Sequence, residues 1–313
     1  MKKLFFSFVL LLSSLSGSLA INPILKQGTI CASEATPNQS TGVPYERDHC
    51  CIARQARRID LANPQQADCP LFEDRVNNDD LKQLLTVMEV SHDGTLPSII
   101  EATQKTWKRP AGKERWHIEN NLSEIQAKAV MDYCSKNRFF IEIMPTKKSY
   151  DYAVILGATV ATMKKRIGFL EKIAQSGVQF KQVVLLSGAR PLDLKIETAP
   201  EGCQTEGEAL AFLWKACPLS KQLPSAQFDC PMVKNTRPTT ADTYSLWLAS
   251  KPKAGSCFMI SNQPYCLYQQ LVTEAILPKE FVFETVGPFS DPSKANPEAL
   301  LDTIARCLYT LGQ

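Results

Sequence analysis

The feature that most restricts this chain is an alternation that begins near Phe139 and runs to the end. Short apolar runs take turns with longer amphipathic segments. YAVILG (152–157), QVVLLSG (182–188), PMVKN (231–235), SCFMIS (256–261) and FVFETVG (281–287) read as strands. VATMKKRIGFLEKIAQSG (160–177), TEGEALAFLWKA (205–216), TTADTYSLWLAS (239–250), PYCLYQQLVTEAI (264–276) and NPEALLDTIARCLYTL (296–311) read as helices. FFIEIM (139–144) reads as one more strand, at a lead-in or an edge. Buried strand runs separated by helices imply an α/β fold: a mostly parallel, Rossmann-like sheet covered by helices on both faces.

Right-handed crossovers put every strand-to-helix loop of such a sheet at one edge, and ligands bind outside the carboxyl ends of the strands. The residues leaving the strands are therefore the candidates. The first exit is Gly157-Ala158-Thr159 and the second Ser187-Gly188-Ala189-Arg190, with Asp193 beyond. Glu206 opens the next helix, Asn235-Thr236-Arg237 follows PMVKN, and Asp242 lies in the helix after it. Ser261-Asn262 leaves the fourth strand. Each has a plainer reading. Gly157 and Gly188 also serve simply to turn the chain. Thr205 with Glu208 is a capping box, which leaves Glu206 as the functional candidate on that turn. Asn235-Thr236 fits a turn, Asp242 a solvated helix position and Arg166 an exposed one. GxGxxG and Walker A patterns are absent, so no dinucleotide or ATP motif supports a cofactor, and none is assigned.

The order of these residues resembles the SanA/YdcF/ElyC-like bacterial proteins over about residues 148–290. Asp151 precedes VILG, Arg166 lies in the next helix, and Ser187-Gly188 follows the second strand. Glu206-x-Glu208-Ala209 then opens a helix, and Thr236 and Asp242-Thr243 follow. The resemblance implies a Rossmann-like domain connected with envelope integrity and polysaccharide handling. The chain departs from it in two places. The family's glycine cluster is here Gly157-Ala158-Thr159, and SNQPYCLYQQ stands where the family carries Thr, then His and Arg.

Histidine placement excludes one chemistry. His49, His92 and His117 all precede the α/β region, so a Ser-His-Asp hydrolase cannot be built within it, and GxSxG is absent. Ser187 reads as a hydrogen-bonding group. Metal catalysis would rest on carboxylates alone, from Asp151, Asp193, Glu206 and Asp242. Recognition of a polar, anionic small molecule, phosphorylated and sugar- or nucleotide-like, fits better. Backbone N–H groups of Gly157, Ala158, Thr159, Gly188 and Ala189 would meet it at helix N-termini, beside Ser187, Thr236, Ser261 and Asn262. Arg190 and Arg237 would clamp its anionic group, and Glu206 or Asp242 would bind a hydroxyl or act as general base. The expected protein is a transferase, a hydrolase or a non-catalytic sensor. A secreted interaction protein on an inactive α/β scaffold is the competing class.

The first half differs in texture. Lys2-Lys3, an apolar run to Leu12 and Ser18-Leu19-Ala20 form a signal peptide over residues 1–20, so export to a periplasm or beyond is expected. No transmembrane segment is expected in the mature chain. Residues 21–115 form an irregular, Cys-rich region with helices at LKQLLTVMEV (81–90) and 96–107, and a further helix spans 121–136 ahead of the sheet in the 116–313 domain. This region is where a protein partner would bind. The chain's 11 cysteines suit disulfides of an oxidising compartment; the rival reading is a metal at His49-Cys50-Cys51. A net charge of +3 with dispersed basic residues is no nucleic-acid signature.

Overall fold

The computed structural model describes residues 79–110, 113–233 and 237–312. The expected signal peptide, Cys31, Cys50, Cys51, Cys69 and Thr236 lie outside the described residues.

Five strands form one parallel sheet: β1 Ser149–Leu156, β2 Gln179–Gly188, β3 Ser225–Cys230, β4 Ser256–Ile260 and β5 Val282–Val286. Their order is β3-β2-β1-β4-β5. The chain therefore winds one way from β1 and the other way from β4, and the two halves part between β1 and β4. The register sets the carboxyl ends level: Leu156 lies beside Leu186, Ile155 beside Ile260, and Ser187 beside Asp229.

Eight α-helices complete the described residues: α1 Asp79–Val87, α2 Leu96–Thr106, α3 Glu124–Lys136, α4 Val160–Gln175, α5 Glu206–Ala216, α6 Thr240–Ala249, α7 Cys266–Ile276 and α8 Pro297–Leu311. In α4, Val160, Met163, Ile167, Leu170 and Ile173 recur at helical spacing and pack with α5 on one face of the sheet. Tyr244 and Trp247 of α6 and Val272 of α7 cover the other face, against Tyr152, Val154 and Leu186. Burying each such side chain contributes roughly 1.5–3 kcal/mol. A third core joins α1, α2 and α3 to α8 and Leu271 of α7, so packing continues across residue 115. No helix of the described residues is long and apolar enough to cross a membrane.

Three expectations are corrected. FFIEIM is not a strand: only Ile143 makes an isolated antiparallel bridge, to Gly287. Phe139 and Phe140 are both buried in the helical core, so this stretch anchors the chain where a strand would alternate. Nor do the described residues of the expected strand PMVKN, Pro231 to Val233, belong to a strand of the sheet. Strand β3 lies one step earlier, in SAQFDC, whose residues alternate between exposed and half-buried as an edge strand's do. Pro231, which lacks an N–H, follows its last residue. Finally, the expected disulfides do not form among the seven described cysteines. Cys134, Cys257 and Cys307 are wholly buried and act as small apolar core residues.

Candidate functional site

The carboxyl ends of β1 and β2 deliver Gly157, Ser187, Gly188 and Arg190 to one edge, as the register requires. The first turn of α5 brings Glu206 between them. Arg190 is 5 % exposed and lies at the centre. Its Nε donates to Glu206 Oε2 at 3.0 Å, and its Nη1 to Glu197 Oε1 at 2.6 Å and the Pro191 carbonyl at 3.1 Å. Its Nη2 donates to Glu197 Oε2 at 3.2 Å and the Ala158 carbonyl at 3.3 Å. All the N–H groups of the guanidinium are thereby taken by the protein. Burial works against its charge, but the Glu197 and Glu206 contacts outweigh that and hold its pKa above the ordinary arginine value. Arg190 is thus a structural clamp, with no donor left for the ligand it was expected to bind.

Glu197, which the sequence analysis did not single out, explains the clamp. Besides taking both Nη groups of Arg190 end-on, its carboxylate accepts from the backbone N–H of Asp193 at 3.1 Å and of Val160 at 3.0 Å. Val160 is the first residue of α4, whose cap residue Thr159 makes no side-chain capping bond. The positive end of α4, a ready anion site in such folds, is already filled by the chain's own carboxylate. Burial pushes the Glu197 carboxyl up, yet the Arg190 hydrogen bonds, helped by the Asp193 and Val160 N–H groups, hold it below its ordinary value.

Glu206 is 3 % exposed. It accepts from Gly188 N at 3.3 Å on Oε1, and from Arg190 and from Arg237 Nη2 (3.3 Å) on Oε2. Its Oε1 lies so close over Gly157 that a Cβ there would stand 2.2 Å away, so the glycine at this exit makes room for the carboxylate. Other expected backbone donors are engaged as well: Gly157 N bonds the Leu186 carbonyl, and Ala189 N the Cys230 carbonyl.

Ser187 donates Oγ to Asp229 Oδ1 at 3.2 Å, on the neighbouring strand. Asp229 sits on the exposed edge strand, but its oxygens press on Gly207, where a Cβ would be 2.1 Å from Oδ2. That local desolvation raises its pKa, and the Ser187 hydroxyl pulls the other way. The pair has no histidine in it: His92 accepts from Gly94 N in an exposed turn.

These residues enclose an open cavity of about 40 Å³, lined by Gly157, Ser187, Gly188, Glu206, Arg237 and Thr240 among others. It has room for roughly three waters or one small polar group. Arg237, 39 % exposed, stands at its rim, with Nη1 on both oxygens of Glu114 at 2.9 and 2.8 Å. Glu114 opens a short turn that lies across the strand exits. The Arg115 guanidinium stacks 3.9 Å from the Tyr265 ring centroid at the β4 exit, and Trp116 lies 5.9 Å from the Arg190 guanidinium.

Other expected residues are placed elsewhere. Asp242 is exposed and accepts from Thr239 N at 2.6 Å and Thr239 Oγ1 at 2.7 Å, in a capping box on α6. It caps a helix and stands outside the cavity. Thr205 and Glu208 form the capping box that their spacing predicts. Asp151 lies near the start of β1, six residues or about 20 Å of strand from Gly157. There it pairs with Lys181 at 2.7 Å and Ser256, and these hydrogen bonds hold its pKa well below the ordinary range. Ser261 is fully buried, and Asn262 serves Arg166: its Oδ1 accepts from Arg166 Nε at 3.2 Å and Nη2 at 2.7 Å. Arg166, expected to be exposed, is 4 % exposed and also donates to the carbonyls of Leu156 and Gly157. With no carboxylate paired to it, burial lowers its pKa to about 10. Among the described residues no group of three or more His, Cys, Asp or Glu is arranged to hold a metal.

No family model matches the chain, and no curated protein matches it. The resemblance drawn over residues 148–290 rests on the residues quoted for it.

Proposed function

We propose that this is an exported member of the SanA/YdcF/ElyC-like group that binds a polar, anionic small molecule, phosphorylated and sugar- or nucleotide-like, at the carboxyl edge of β1 and β2. The observation that carries the reading is the buried Glu206 carboxylate in the wall of an open polar cavity, with Ser187 beside it and Arg237 at the rim. Glu206 would accept a ligand hydroxyl, Ser187 would offer a further hydrogen bond, and Arg237 would meet the anionic group at the solvent side. The cavity suits one terminal group of the ligand. In a transferase or hydrolase of envelope polysaccharide chemistry, Glu206 is the residue to take up a proton, and its Oε1, with one long bond, is the oxygen with capacity to do so.

The test is ligand-induced thermal stabilisation over sugar phosphates, nucleotides and S-adenosylmethionine, with Glu206→Gln and Arg237→Gln as controls. A true ligand stabilises the wild type and binds Glu206→Gln about tenfold or more weakly, because a charged hydrogen bond to its hydroxyl is lost. No stabilisation by any compound would favour the second reading, a non-catalytic interaction protein on an inactive scaffold. One observation supports that reading: Glu197 and Glu206 already occupy the donors that an anion would use.

A further inference from the structure

Away from the cavity, one cluster of charge is left unbalanced. Asp302, in the middle of α8, is 1 % exposed, and three arginines gather on it. Arg109 donates its backbone N–H to Oδ1 at 3.1 Å and Nη1 to Oδ2 at 2.8 Å. Arg306 donates Nε to both oxygens, at 3.1 and 3.0 Å. Arg115 reaches only to 3.9 Å of Oδ2, and its buried Nε has no hydrogen-bond acceptor. The Tyr265 ring beneath Arg115 steadies the cation but supplies no acceptor in the ring plane. Glu114, the nearest carboxylate along the chain, is engaged by Arg237.

Three guanidinium groups against one carboxylate leave two positive charges in a half-buried place, where cations are costly unless paired. Burial lowers the pKa of Arg109, Asp302 works against that, and Arg306 and Arg115 add to the lowering while Glu114 opposes it. All three side chains still reach solvent, at 18, 28 and 24 % exposure, so a dissolved anion can approach them.

We propose that Arg109, Arg115 and Arg306 form an anion subsite on Asp302 that takes the phosphate group of a soluble phosphomonoester. A dianion matches the unbalanced charge, and guanidinium groups that reach solvent match phosphate oxygens. Asp302 holds the Arg109 and Arg306 side chains in position beforehand. The subsite is built from α8 and the segment before α3, beside the β4 exit, and does not include Glu206.

Inorganic phosphate is the probe, titrated calorimetrically into the full chain against chloride at matched ionic strength. Arg115→Gln removes no hydrogen bond of the described fold and is expected to bind phosphate about tenfold or more weakly, while Lys181→Gln, an exposed charge near the start of β2, binds as the wild type does. Arg306→Lys, which keeps the charge and loses the fork, is a second variant and should also weaken binding. The proposal is overturned if phosphate binds no better than chloride, if Arg115→Gln binds normally, or if Lys181→Gln loses binding equally. It is also overturned if only phosphatidylcholine vesicles containing phosphatidic acid bind.

Discussion

The two halves of the sheet's carboxyl edge handle buried arginine in opposite ways. On the β1–β2 side, Arg190 meets two glutamates and every N–H it has is taken by protein. Where β1 and β4 part, Arg166 is as deeply buried but meets only Asn262 and two backbone carbonyls. A saturated ion network is rigid and leaves little for a ligand. A buried cation whose hydrogen-bond partners are neutral keeps more of its field.

Removing each arginine tests the contrast. Arg190→Ala leaves Glu197 buried without its partner and Glu206 with Arg237 alone, and should cost about 3–5 kcal/mol, roughly 10 °C in Tm for a domain of this size. Arg166→Met keeps most of the volume and strands only neutral acceptors, so about 1–3 kcal/mol is expected. Urea unfolding measures both. Equal losses would break the comparison.

Acid gives the next largest effect. The folded pKa of Glu197 is depressed below its ordinary 4.5, so its contribution is complete above that pH and is lost as pH falls through the lower folded value. Stability should be level from neutrality to about pH 5 and decline steeply below 4.5, with a shallower decline in Arg190→Ala. A wild-type curve whose slope below 4.5 equals that of Arg190→Ala would remove Glu197 from the account.

The smallest effect separates a cap from a catalytic group. Asp242→Ala should cost about 1 kcal/mol through the lost capping box and leave ligand affinity unchanged. A large loss of affinity without unfolding would return Asp242 to the site.

Much of this was legible in the residues. The β1, β2, β4 and β5 runs and the helices between them follow from apolar periodicity, because both faces of the sheet are covered. Strand β3 was missed because an edge strand buries one side only, and SAQFDC reads as polar; Asp229 was missed with it. Arg166 could have been found, since it falls three residues after Met163 and four before Leu170, on the buried stripe of α4. Asp242 likewise stands at capping-box spacing from Thr239. Glu197 could not have been identified as Arg190's partner. Nothing in the spacing of PLDLKIE says that its glutamate folds back onto both Arg190 and the start of α4.

That fold-back makes Glu197 a tethered competitor. A carboxylate on a short loop presents itself to Val160 N and Arg190 at an effective concentration in the millimolar range or above. Free anions at ordinary concentrations will lose that contest at the end of α4. The end of α4 is thus closed to a small anion by the chain's own carboxylate, held there by Arg190.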